Sequence, residues 1–90
     1  RAAAVDTYPI RRTAIEVADR EETMATVRER VEGYSDVSTL DGVRVELGDA
    51  WFLVRASGTE PVVRVTAEAR DSDRLRAVFE EARSLVPEKE

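Results

Sequence analysis

The residues best suited to chemistry lie in the segment Arg55–Pro61, which reads RASGTEP, and at Arg64, three positions further on. Arginine side chains carry a permanent charge and present forked N–H donors that match the oxygens of a phosphate group. Ser57 and Thr59 add hydroxyl donors, and Gly58 allows backbone N–H groups to turn inward toward one anion. These residue types at this spacing indicate a binding site for phosphate.

Two strands must position this segment. Ala50–Ala56 contains a continuous apolar and aromatic run, and Val62–Ala69 alternates apolar with polar residues, so each range predicts a β-strand. Pro61 cannot donate to a sheet ladder and suits the first position of a strand. We therefore expect residues 57–60 at the rim of a sheet, where a ligand can reach them.

A structural interpretation of the same segment remains open. Ser-Gly-Thr is common in turns, and an exposed arginine beside glutamates is usually solvated or ion-paired. Glu60 would repel a bound phosphate unless its carboxylate turned away, toward Arg55, Arg64 or a neighbouring domain. We therefore predict that Glu60, together with Pro61, orients the loop.

The stretch from Val54 to Val65, VRASGTEPVVRV, resembles the signature of the last domain of the α-D-phosphohexomutases. This family includes phosphoglucomutases, phosphomannomutases and phosphoglucosamine mutases. The likeness covers most of the chain, since an acidic strand residue such as Glu68 and a closing helix after Asp71 are also typical of that domain. It implies that the loop holds the phosphate that is not being transferred. The residues implied in this binding are Arg55, Ser57, Gly58, Thr59 and Arg64.

The resemblance also implies an activity for a longer parent protein. That activity is intramolecular phosphotransfer between hexose 1-phosphate and hexose 6-phosphate, of the phosphomannomutase or phosphoglucomutase type, with phosphoglucosamine mutase as the alternative. In the family a phosphoserine in the first domain and a Mg²⁺ ion in the second carry out the chemistry, and this chain has no segment like either. We therefore expect no catalytic residue, metal or cofactor in this domain, and no activity from it alone.

The partners implied are a hexose phosphate or bisphosphate and the other domains of the parent chain. Two other classes of protein are compatible with the sequence. A regulatory domain that senses an anionic metabolite would bind one metabolite selectively. A protein-interaction module would not need Arg55 or Arg64.

Composition excludes several functions. Ninety residues make one domain, and the lack of Cys and His excludes disulfides, thiolate nucleophiles, a histidine base and the usual zinc sites. A net charge of −5 gives little support to nucleic-acid binding. No apolar run approaches the roughly 20 residues of a membrane span and no secretory signal is recognisable, so we expect a cytoplasmic protein without membrane contact. Because the chain starts with Arg1, we also expect it to be part of a longer polypeptide.

The predicted fold class is α+β, with a small antiparallel sheet and two helices on one face; the resemblance implies a TATA-binding-protein-like architecture. Residues 1–11 are assigned to an interdomain linker, 12–87 to the phosphate-binding domain and 88–90 to a charged tail. The predicted elements are a strand at 12–17, a helix from Arg20 to Glu32 capped by Asp19 and stopped by Gly33, strands at 37–40 and 43–47 joined by Asp41-Gly42, the two strands of the phosphate loop, and a final helix after Asp71 or Ser72. Trp51, Phe52 and Phe79 are expected to pack in the core or against another domain.

Overall fold

The computed structural model describes residues 8–39 and 42–87. Five strands form one antiparallel sheet, and two helices cover one of its faces. The strands are β1 (Ile10–Glu16), β2 (Val37–Ser38), β3 (Val43–Glu46), β4 (Ala50–Ala56) and β5 (Val62–Ala69), and the helices are α1 (Arg20–Arg30) and α2 (Ser72–Ser84). The strand order is β1-β5-β4-β3-β2, which places β5 and β4 side by side near the middle. The α+β class is therefore confirmed.

Alternation along the central strands builds the core. In β5 the residues Val63, Val65 and Ala67 are fully buried toward the helices, while the residues between them face the other side. Phe52 in β4 pairs with Ala67 and is also fully buried. The sheet thus has one apolar face under the helices and one mixed face outside them.

Both helices begin at aspartate caps: Asp19, as predicted, caps α1, and Asp71, one of the two predicted candidates, caps α2. The Asp19 carboxylate accepts a hydrogen bond from the Glu22 N–H at 3.1 Å, and the Asp71 carboxylate accepts one from the Arg74 N–H at 2.9 Å. α1 packs on β3 and β4, whereas α2 packs mainly on β5 and β4. Arg30 joins the two helix ends by donating to the carbonyls of residues 84 and 85 at 3.2 and 3.3 Å.

Several boundaries differ from the predictions. β1 starts at Ile10, inside the segment assigned to the linker, because the eight-residue β5 offers Glu68 as a partner for Ile10. α1 ends at Arg30 rather than Glu32, with Val31 as its C-cap; Gly33 has no positive φ and is not the stop. β2 has only two residues. Leu40 and Asp41 of the predicted hairpin, residues 1–7 of the linker and the tail 88–90 lie outside the described residues.

The face of the sheet without helices carries Trp51. Its Nε1 donates to Glu68 at 3.0 Å, and the Arg44 guanidinium lies 4.3 Å from the centre of its ring. Phe52 and Phe79 are in the core, as expected, but Trp51 is half-buried on this outer face and takes no part in the core. In the part of the chain that the structure describes, neither helix is long and apolar enough to cross a membrane.

Candidate functional site

The loop of residues 57–61 connects β4 to β5 and is organised by Ser57. The Ser57 N–H donates to the Val62 carbonyl at 3.0 Å, which closes the loop at its base. The Ser57 hydroxyl oxygen accepts from the N–H groups of Thr59 and Glu60 at 3.3 and 3.2 Å. These bonds use the oxygen only as an acceptor, and the hydroxyl hydrogen has no acceptor among the described residues, so it can donate to a ligand.

Around Gly58 the backbone differs from the prediction. The sequence predicts several backbone N–H groups turned inward toward one anion, and the structure shows fewer. Two of the nearby N–H groups, those of Thr59 and Glu60, are directed to the Ser57 side chain instead. Gly58 has no positive φ, and a Cβ added to it would meet nothing within 4 Å. Its N–H has no acceptor among residues 8–39 and 42–87. The loop therefore offers an exposed backbone donor at Gly58.

Arg55 and Arg64 occupy opposite positions on β4 and β5. Directly paired residues project to the same side of a sheet with Cβ atoms about 5 Å apart. Both arginine side chains therefore leave the sheet at neighbouring points on the face without helices. Two like charges at such a pair repel each other, and an anion bound between them would relieve that repulsion. This pairing brings both predicted cations to the end of the sheet where the loop lies.

Glu60 lies on the Arg64 side of the loop. Its Oε1 is 3.6 Å from Nη2 of Arg64, and both side chains are more than half exposed. An ion pair this exposed contributes little to stability, about 0–1 kcal/mol. The Glu60 carboxylate thus faces Arg64, one of the partners predicted for it from the sequence.

Two hydrogen bonds that the sequence did not predict connect the loop to the end of β1 and the start of α1. The Val17 N–H donates to the Pro61 carbonyl at 2.9 Å, and Nη1 of Arg20 donates to the Ser57 carbonyl at 2.5 Å. Val17 follows β1, and Arg20 is the first residue of α1. Both ends of the loop are thereby fixed to the core of the domain.

Gly42, the residue before β3, lies close against Arg55 of β4. It has φ +92°, and a Cβ added to it would lie 2.7 Å from the Val54 oxygen and 3.2 Å from Cβ of Arg55. A contact of 2.7 Å is closer than real side chains tolerate, so only glycine fits here without a shift of β4. The sequence predicts a turn at Gly42, but its closeness to Arg55 depends on the pairing of β3 with β4.

The remaining candidate features lie elsewhere or are not found. Burial, followed by a hydrogen bond to Glu81 and its negative charge, raises the pKa of Tyr34 to about 12, but this pair lies on the helix side of the sheet and not at the loop. Within residues 8–39 and 42–87 there is no group of three or more His, Cys, Asp or Glu side chains that could hold a metal ion.

The predicted site residues lie together in the β4–β5 loop and at the strand ends beside it. They are Arg55, Ser57, Gly58, Thr59, Glu60, Pro61 and Arg64.

Residues 12–85, which include the whole loop and both arginines, match the family model described as the phosphoglucomutase/phosphomannomutase C-terminal domain. The chain belongs to this family. It is 45% identical to a probable phosphoglucosamine mutase of Methanopyrus kandleri over 93% of its length, and 40% identical to one of Methanosarcina acetivorans over 96%. A probable phosphoglucosamine mutase of Methanocella arvoryzae is 39% identical over 88% of the chain.

The chain spans only about a fifth of each of these relatives, 19 to 20% of their length. It corresponds to one domain of a phosphohexomutase. The resemblance drawn from the loop sequence is therefore confirmed at the level of the family.

Proposed function

We propose that this phosphohexomutase C-terminal domain binds a phosphate group of a phosphosugar, using Arg55, Ser57, Gly58, Thr59 and Arg64. The observation that carries the proposal is the pairing of Arg55 with Arg64 on one face of the sheet. Beside this pair lies a loop whose Ser57 hydroxyl and Gly58 N–H donate to no acceptor in the part of the chain that the structure describes. Charged hydrogen bonds of this kind are short and directional, so they suit an anion that must be held in place.

The role of such a site is orientation. In a phosphosugar mutase the bisphosphate intermediate must reorient between two phosphoryl transfers, so that its two phosphate groups exchange places. A site that recognises phosphate alone accepts either end of the intermediate. Arg55 and Arg64 present guanidinium groups that fit phosphate oxygens without reading the sugar. Movement of the domain toward the rest of the parent protein would also exclude water and so limit hydrolysis.

For the parent protein we propose a phosphosugar mutase. The relatives are named as probable phosphoglucosamine mutases, which favours glucosamine phosphates over the mannose or glucose phosphates that the loop sequence equally suggests. The reacting groups and the implied Mg²⁺ belong to other parts of that parent, so no catalytic step is assigned to the residues of this chain. This chain contributes binding and orientation.

An NMR titration of the 90-residue chain tests the proposal. Inorganic phosphate, glucosamine 6-phosphate and glucose 1-phosphate are added at constant ionic strength to the wild type, to Arg55→Ala and to Arg76→Ala. Arg76 is the matched control, because it is an exposed arginine on α2 and α2 packs against the opposite face. We expect saturable shifts at residues 57–60 with similar affinity for all three ligands.

Loss of one charged hydrogen-bonding partner should cost Arg55→Ala about 1.5–3 kcal/mol of binding free energy, while Arg76→Ala should bind as the wild type does. Equal affinity in Arg55→Ala and wild type would refute the proposed site. A strong preference for one sugar phosphate would favour a metabolite sensor instead.

A further inference from the structure

Arg20 makes the long-range hydrogen bond that ties α1 to the loop. Its Nη1 donates to the Ser57 carbonyl at 2.5 Å, across 37 positions of the sequence, and the contact is partly buried. Arg20 and Ser57 also line an open pocket of about 650 Å³ between the helix and the end of β4, together with Met24, Arg28 and two other residues. The guanidinium therefore lies on the helix side of the loop, opposite the face that carries Arg55 and Arg64.

The position of this arginine runs against the local electrostatics of a helix. The first turn of a helix carries a partial positive charge and favours acidic residues, and Glu21 and Glu22 follow that rule. A cation at the first helical residue is unfavourable there by itself. The contact with Ser57 gives Arg20 a favourable interaction that the helix alone does not provide.

The bond to Ser57 also determines where the next N–H group points. In a trans peptide the C=O and the N–H project in opposite directions, and the peptide bonds of the described residues are not cis. Holding the Ser57 carbonyl toward α1 therefore directs the Gly58 N–H away from the helices. A charged donor on the carbonyl also polarises the peptide and makes its N–H a stronger donor.

We propose that Arg20 is a positioning residue for the phosphate site: it fixes the Ser57–Gly58 peptide so that the Gly58 N–H donates to the bound phosphate. This inference rests on the proposed function. Arg20 acts through the peptide and does not itself contact the ligand.

Three variants of the 90-residue chain test this role. Arg20→Met removes the donor, and Arg20→Lys restores a single charged donor. Arg28→Met is the matched control, because Arg28 lines the same pocket and carries the same charge but has no hydrogen bond to the loop among the described residues. Each variant is titrated with inorganic phosphate at constant ionic strength, followed by the Gly58 amide resonance, and its thermal unfolding is recorded.

We expect Arg20→Met to bind phosphate about five- to tenfold more weakly, at the lower end of the range for coupling between sites. The Gly58 amide resonance of the ligand-free protein should shift in the same variant. Arg20→Lys should recover part of both effects, and Arg28→Met should show neither. A role in stability alone would lower the unfolding temperature and leave the phosphate affinity of the folded protein unchanged.

Two results would overturn the inference. The first is equal weakening of phosphate binding in Arg20→Met and Arg28→Met, since that would mean that charge in the pocket, and not the bond to Ser57, sets the affinity. The second is unchanged binding in Arg20→Met while Arg55→Ala loses binding. If Arg55→Ala also binds as the wild type does, the proposed phosphate site itself is wrong.

Discussion

Substitution of Gly42 by alanine should destabilise the domain and disturb Arg55 at the same time. Gly42 has φ +92°, a conformation that costs an L-residue about 1–2 kcal/mol. The added Cβ would lie 2.7 Å from the Val54 oxygen and 3.2 Å from the Arg55 Cβ, and overpacking of this kind costs about 1–3 kcal/mol more. The sum is about 2–5 kcal/mol, within the stability of about 5–13 kcal/mol expected for 90 residues.

Gly48→Ala is the matched control. Gly48 has a closely similar φ of +90°, but a Cβ added there would meet nothing within 4 Å. It should therefore cost only the backbone strain of about 1–2 kcal/mol. The difference between the two variants isolates the contact of residue 42 with β4.

The assay is urea unfolding of both variants, followed by phosphate titration of the folded proteins. We expect Gly42→Ala to be the less stable of the two variants. It should also bind phosphate more weakly, because the added Cβ pushes β4 away at Val54 and Arg55 and so moves the Arg55 side chain. Gly48→Ala should keep the wild-type affinity. Equal destabilisation of the two variants, with unchanged phosphate affinity in both, would refute the argument that Gly42 supports Arg55.

Two further predictions concern Glu60 and Tyr34. Glu60→Gln removes the carboxylate that lies 3.6 Å from Nη2 of Arg64. Because we expect Glu60 to orient this arginine, the binding free energy of phosphate should weaken by up to about 1 kcal/mol. Tighter binding in this variant would mean that Glu60 only repels the ligand. The pKa of Tyr34 is raised from 10.0 to about 12, so the neutral phenol is stabilised by folding; this contribution is complete below pH 10 and is lost as the pH rises toward 12. Urea unfolding between pH 9 and pH 12 should show a smaller loss of stability in Tyr34→Phe than in the wild type, with Tyr8→Phe as an exposed control. Identical pH profiles for Tyr34→Phe and the wild type would contradict the assignment.

The two strands beside the loop were predictable because their patterns are strong and local. β4 and β5 have the predicted bounds. The apolar run before the loop and the alternation after it are each compatible with few secondary structures other than a strand. The end of α1 was less predictable, because Gly33 suggests a stop but the helix already ends at Arg30. β2 is two residues long and lies at the edge of the sheet, where β3 is its only partner among the described residues.

The parts of the site that escaped prediction depend on distant contacts. The types of Arg55 and Arg64 indicate anion binding, but their direct opposition follows from the register of β4 with β5. Arg20 looks like an ordinary exposed helix residue in the sequence, and only the packing of α1 reveals its bond to Ser57. The use of the Thr59 and Glu60 amides by the Ser57 side chain is likewise a property of the folded loop.

A double-mutant cycle on the two arginines tests the central claim most directly. The phosphate affinity of the wild type, Arg55→Ala, Arg64→Ala and the double variant is measured at one ionic strength. If both arginines hold the same anion, their effects should not add, and the interaction energy should be at least about 0.5 kcal/mol. Single variants that bind phosphate as the wild type does, or losses that simply add, would contradict a phosphate held between Arg55 and Arg64.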